Sequence, residues 1–279
     1  MSWNPAALLA TLSLAAALLL PRAATADPLP LYEGHAITTG TGEQNRQLGL
    51  AQSLEDVLVK VSGDPTLIGD AAVSQLEKTA AGLVDSFTYR DMYSGRPLHD
   101  EQGSYDRPHD LNVSYNPAKI DAALRALGRE PWTEARPLLA VFLSVRRGDR
   151  AFVVTADGER DADMRSSLGT AADRLGFPHL VPGAQALAAA GLTADSLPDA
   201  GLGVIDTTAK TFEAAAALAG NLLWSDTAHG WVADWRIRSG NATVTWQVRG
   251  VGFDEAFRNG LRGAAQVLSG HGEPANVTF

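Results

Sequence analysis

Six histidines and one acidic loop are the residues of this chain whose types best suit chemistry. The histidines stand at 35, 99, 109, 179, 229 and 271, and no two are spaced i, i+4 as a helical metal pair would be. Two of them fall in the polar stretch His99-Asp100-Glu101 and Tyr105-Asp106-Arg107-Pro108-His109-Asp110. Imidazoles with carboxylates are the ligand set of a divalent ion, which activates a bound water for hydrolysis. His99, Asp106, His109 and Asp110 are therefore the candidate metal ligands, and a metal-assisted hydrolase is the reaction they would serve. The plainer reading is a solvated hairpin loop whose charges face water.

Two other polar runs have the look of ion sites. Asp157, Glu159, Asp161 and Asp163 alternate like the start of a calcium loop but lack its sixth-position Gly and closing Glu. Acids at a helix start, capping free N–H groups and complementing the dipole, are the better expectation. Thr39-Gly40-Thr41-Gly42 has the ingredients of a phosphate-cradling turn without the rest of either nucleotide fingerprint, so a strand-to-helix turn is expected. Neither a G-x-S-x-G elbow nor an H-E-x-x-H helix occurs. No catalytic residue is assigned and no cofactor is implied. Trp224, Trp231, Trp235 and Trp246 are the candidate binding residues, since aromatics on adjacent strands can stack a sugar or a peptide. Against this stands their use as core, because one face of their sheet must be buried.

The elements that position these residues follow from periodicity. In the first half, an extended segment over residues 31–39 leads into a helix from Glu43 to Val61 with a stripe of Leu50, Leu54, Val57, Leu58 and Val61. Ser62-Gly63-Asp64-Pro65 stops it with Gly just past the last turn. A second helix is expected from about Asp70 to Asp85. Phe87–Arg90 and Leu111–Tyr115 alternate as paired strands around a long loop at 94–109. Asn116-Pro117 caps a third helix.

Two prolines and alternating charges at 128–137 mark a domain boundary, giving an N-terminal α+β domain at 27–130 and a C-terminal α/β domain at 131–279. The second domain opens with the continuous apolar run Leu138–Val145, a strand covered on both faces. Helices are expected at 161–175 and 207–220, with a short buried strand between them near 176–182. Strands at 221–225, 230–238 and 243–250 form a meander, and a helix from Phe253 to Leu268 packs on its Trp231/Trp235 face. The fold class is thus two small mixed α/β domains, the second ending in an antiparallel three-strand meander and a C-terminal helix.

Location and partners are read from the composition. Residues 1–26 hold an apolar run, Ala6 to Leu20, then Pro21-Arg22 and the small residues Ala24-Thr25-Ala26, the layout of a cleavable secretory signal. Without Arg22 the chain carries 22 basic against 32 acidic residues, a net charge of −10. That balance disfavours nucleic acid and anionic membrane surfaces as partners. There is no cysteine, which rules out disulfides, thiol catalysis and zinc–thiolate sites. No membrane span is expected once the signal is removed.

With these elements in place, the chain resembles the exported bacterial proteins of "domain of unknown function 2066". The similar segments are Arg46–Gly63, RQLGLAQSLEDVLVKVSG; the Asn116–Leu127 helix with Pro131-Trp132; RPLLAVFLSV at Arg136–Val145; and Gly230–Trp235. Ala219–Ser225 departs from the strand that family favours before the hairpin. The resemblance implies no catalytic residues, a periplasmic address and a binding or scaffolding role. The expected function is an exported accessory or interaction module of the bacterial envelope with an envelope protein partner. The alternative is a small-ligand or glycan binder using an inter-domain cleft or the Trp-rich sheet.

Overall fold

The computed structural model describes residues 30–95, 107–159 and 161–279. The expected signal segment lies outside them. Among the described residues no helix is long and apolar enough to cross a membrane.

The first half runs β1 (Glu33–Thr39), α1 (Glu43–Ser62), α2 (Ala71–Glu77), β2 (Val84–Asp91), β3 (Pro108–Tyr115) and α3 (Pro117–Ala126). The strands form an antiparallel sheet in the order β1-β3-β2. Gly34, Ala36, Leu111 and Val113 alternate onto one face, where α1 lies across them. Gly49 lets the helix come close, since a Cβ there would stand 2.6 Å from Thr38 Cγ2 and 2.7 Å from Leu111 Cδ2. Residues 39–42 are a strand-to-helix turn, with Gly40 at φ 73° and its carbonyl accepting from Thr38 Oγ1. Asn116 caps α3 by accepting from the Lys119 N–H at 3.0 Å.

The helix expected from Asp70 to Asp85 is shorter. It ends at Glu77, a 3-10 turn covers Ala80–Leu83, and Val84 already starts β2. Thr79 ends it locally, its N–H and its hydroxyl both donating to the Leu76 carbonyl. Pairing of 84–91 with β3 then outweighs the helical periodicity of Leu83 and Val84, a tertiary override of a local preference.

The second half runs β4 (Leu139–Arg147), β5 (Arg150–Val153), α4 (Ala162–Arg174), β6 (His179–Leu180), α5 (Ala184–Ala189), α6 (Leu202–Lys210), β7 (Ala216–Ser225), β8 (Gly230–Ser239), β9 (Ala242–Val251), α7 (Phe253–Leu268) and β10 (Val277–Thr278). Its sheet has the order β10-β9-β8-β7-β4-β5, with β6 also beside β4. β4 is parallel to β6 and β7, whereas β7, β8 and β9 form the expected antiparallel meander. The mixed α/β class and the closing helix are as read from the sequence.

The helix expected over 207–220 is corrected. α6 occupies Leu202–Lys210, and the alanine run enters the sheet centre as β7. Small side chains are required there because Gly220 faces the indole of Trp235; a Cβ would sit 2.3 Å from its Cζ3. Alanine's helix preference yields to pairing with both β4 and β8.

One sheet face carries α4 and α7; the other carries α5 and α6, but only over β4 and β7, where Phe142, Leu187, Leu197 and Ile205 make a separate apolar cluster. On the α7 side Trp235 and Trp246 lie flat on a glycine stripe. A Cβ on Gly260 would come 2.5 Å from Trp235, and one on Gly263 would come 2.4 Å from Trp246. Each buried indole removes on the order of 200 Å² from water, about 5 kcal/mol at about 25 cal/mol per Å².

The main apolar cluster runs from the first half into the second. It is tied at the C-terminus of α1, where helix carbonyls have no intrahelical donor. Gly63 N–H donates to Val59 O at 2.7 Å, Arg136 Nη2 to Lys60 O at 2.6 Å, and Trp132 N–H to Val61 O at 2.8 Å. Ser269, just past α7, donates to Gly63 O at 3.1 Å. Arg136 also lies 3.6 Å over the Trp132 ring and donates to Trp132 O. Burial pulls its pKa down to about 10.

Two substitution pairs test this packing. Gly69 and Gly63 have φ of 71° and 73°, but only Gly63 has neighbours within 4 Å, Ser269 and Trp132. Gly69→Ala is expected to lose about 1–2 kcal/mol for the left-handed backbone, and Gly63→Ala about 1–3 kcal/mol more for overpacking, read from urea unfolding. Equal losses would show that the junction yields. Gly260→Ala and Gly263→Ala are expected to lower the melting temperature, against the gain of up to about 1 kcal/mol that alanine brings to an open helix.

Candidate functional site

The metal candidates separate. His99 and Asp106 lie outside the described residues. His109 and Asp110 are consecutive in β3 and project to opposite faces of the sheet. His109 stacks edge-on with Tyr89 and its Nδ1 lies 2.7 Å from Arg107 O. Asp110 is buried on the other face, bonded to His35 Nε2 at 3.0 Å and to Arg90 Nε at 2.8 Å. These two residues therefore cannot share an ion, and the metal reading loses its described half. Among the described residues no group of three or more His, Asp or Glu is placed to hold a metal.

The acidic run before α4 also disperses. Asp157 Oδ1 accepts from Ala184 N–H at the start of α5, at 3.0 Å, and Asp161 Oδ2 from Thr155 N–H at 2.9 Å. Asp161 does not cap its own helix. It braces the preceding turn and pairs with Arg165.

The tryptophans face the core. Trp231, Trp235 and Trp246 are buried beneath α7, while Trp224 is half-exposed, stacked edge-on against Trp231 at 5.5 Å with Arg147 over its other surroundings at 4.5 Å. Their ring faces are occupied by protein.

A cleft of about 330 Å³ between the first half and α4, where an inter-domain site was expected, holds His35, Asp56, Lys60 and Arg174. Burial raises the Asp56 pKa and lowers that of Lys60. The Lys60 ammonium is already engaged, donating to Glu33 O at 2.7 Å and Pro30 O at 3.3 Å. This cleft fastens the start of β1 to α1.

A larger concavity lies on the sheet face opposite the tryptophans. Because α5 and α6 cover only β4 and β7, the polar side of β8 and β9 stays open as a groove of about 540 Å³. Strand register lines up Ser144, Asn221, Asp234 and Gln247 in one row across four strands. Ser144 Oγ donates to Asn221 Oδ1 at 3.0 Å, and Gln247 Nε2 to Asp234 Oδ1 at 2.6 Å. Asn276 closes one end, its Oδ1 accepting from Gln247 N–H at 2.8 Å. Pro198 and Asp199 wall the other side. That wall is held by Arg236, which donates to Ala200 O at 2.7 Å and to Leu197 O. Burial lowers the Arg236 pKa, and the Asp199 charge opposes that shift.

The sequence contained a signal for this row that periodicity alone does not use. A two-residue turn at Gly240-Asn241 sets Ser239 opposite Ala242, which places Asp234 opposite Gln247. The pair of His35 with Asp110 carried no such signal, since 75 residues separate them.

A family model described as "Domain of unknown function (DUF8605)" matches residues 25–133. The match covers less than half of the chain and stops short of every strand of the groove. No curated protein and no solved structure matches this chain. An uncharacterised family over the N-terminal part is what the comparison supports.

Hydrogen bonds from Arg90 and His35 hold the Asp110 carboxyl below the usual 3.8. A lowered carboxylate pKa contributes stability that is full above 3.8 and is lost as the pH falls through the lowered value. Asp110→Asn is therefore expected to be less stable than the parent at pH 7, with the gap closing as the pH drops below 3.8. Urea midpoints at pH 7 and pH 3 read this; a gap unchanged at pH 3 would trace the loss to something other than the charge.

Proposed function

We propose that this chain is an exported, non-catalytic binding module of a bacterial envelope that holds a small polar ligand in the groove across β7, β8 and β9. The observation that carries the reading is the in-register row Asn221–Asp234–Gln247, an amide, a carboxylate and an amide on the floor of one groove. A few placed polar groups in a concave site fix ligand orientation and specificity. The groove's described lining offers the carboxylates of Asp199 and Asp234, three side-chain amides and the Thr245 hydroxyl, with no histidine beside that hydroxyl to activate it, which favours recognition over nucleophilic chemistry. Export rests on the signal-like residues 1–26, and the bacterial periplasm on the resemblance to the domain of unknown function 2066 proteins. Compared with a docking module for another envelope protein, the groove favours the small ligand.

The test takes protein recovered from a periplasmic fraction, with its amino terminus expected at Asp27. Titration calorimetry then screens small saccharides and dipeptides against the parent and the Asp234→Ala/Gln247→Ala variant. At least one ligand is expected to bind, about 10–100-fold more weakly to the variant, as the loss of hydrogen bonds to a charged group implies. The melting temperature should hardly move, because Asp234 is exposed and Gln247 is half-buried. Equal binding by parent and variant would overturn the groove as the site.

A further inference from the structure

We propose that the groove selects a ligand carrying a positive charge, an ammonium group on a hydroxyl-rich scaffold such as a deacetylated amino sugar. The proposal rests on the groove being the binding site.

The charge balance of the lining points this way. Arg236 is the one cation among the described lining residues, and both its Nη atoms are hydrogen-bonded to the carbonyls of Leu197 and Ala200. It holds the wall and offers little to a ligand. Asp234 receives a neutral amide donor from Gln247, and neither Asp234 nor Asp199 has a cationic nitrogen within 4 Å among the described residues. Two carboxylates thus face the groove with no ion pair within 4 Å among the described residues, Arg236 acting on Asp199 only at longer range.

The hydrogen-bond inventory points the same way. Asn221 Oδ1 is taken up by Ser144 and Gln247 Nε2 by Asp234, which leaves Asn221 Nδ2 as a donor and Gln247 Oε1 and Asp234 Oδ2 as acceptors. Asn276 Nδ2 adds a second amide donor and the Thr245 hydroxyl counts on both sides, and with the two Asp199 oxygens the open acceptor atoms still outnumber the donor atoms. An ammonium, three donors and no acceptor, complements that surplus, and neighbouring hydroxyls, which both donate and accept, match the amides. A bare metal ion is a poorer match, because the two carboxylates bring four oxygens, one of them already bonded to Gln247, where a hard cation gathers about six or more.

The experiment compares a glucosamine trimer with its fully N-acetylated counterpart, equal in length and differing in charge, by titration calorimetry at pH 6 and low salt. The amine form is expected to bind at least about tenfold more tightly, and the preference should shrink as salt rises. Asp234→Asn should abolish the preference, while Glu213→Gln, at an exposed acid outside the groove, should keep it. Equal or tighter binding of the acetylated trimer would overturn the charge selection while leaving the groove as the site. If neither trimer binds, the peptide Gly-Lys-Gly supplies the ammonium on another scaffold. Asp234-dependent binding of that peptide supports the charge selection and refutes the sugar scaffold; its failure to bind overturns the proposal. Failure of the broader saccharide and dipeptide screen as well would remove the groove reading with it.

Discussion

The C-terminus of α1 is the constraint on which the rest depends. A helix ending inside a protein leaves carbonyls that must find donors, and this one finds them in distant parts of the chain. The Arg136 guanidinium, the Trp132 amide and, through Gly63, the Ser269 hydroxyl come from the segment between α3 and β4 and from the end of α7. Two buried cations, Lys60 and Arg136, sit at the negative end of the helix dipole, where positive charge is favoured. Neither makes an ion pair with a carboxylate among the described residues; backbone carbonyls and an indole face engage them instead, and the buried Arg136 Nε has no hydrogen-bond partner. The junction thereby sets where the second sheet stands relative to the first.

The second sheet is asymmetric for a physical reason. On the α7 side, glycines in the helix and in β7 give the indoles of Trp235 and Trp246 room to lie flat, which buries both. On the other side the connection between β6 and β7 is long enough to cover only half the strands. What is left open is polar because Asp234, Arg236, Thr245 and Gln247 alternate with the residues that fill the core. The groove is thus the complement of the tryptophan packing: the same two strands supply both.

Much of the fold was legible in the residues. α1, α3 and α7 have apolar stripes, α1 a glycine stop and α3 an Asn-Pro cap that local physics reads well, and the meander announces itself through alternation and short turns. The errors fall where a segment's surroundings decide its state. The alanines of β7 favour a helix in isolation and become a strand because they pair with both β4 and β8, Ala217 and Ala219 packing under α5 and α6. The second helix stops early because β2 is recruited by a partner strand some 20 residues on, beyond the reach of any local window. Site reading suffered in the same way. Residue types suggested His109 and Asp110 together, yet consecutive strand positions point apart, whereas the row through Asp234 required combining turn length with strand register.

The contrast between floor and wall of the groove also bears on how the molecule folds. β7, β8 and β9 are consecutive and joined by tight turns, so their row of side chains assembles from contacts close in sequence, the kind that form quickly. Ser144 and the segment at 197–200 arrive from far along the chain, and Arg236 must reach both carbonyls before the wall stands. The floor of the groove is thus a local structure, whereas its wall is fastened by contacts 36 and 39 residues apart.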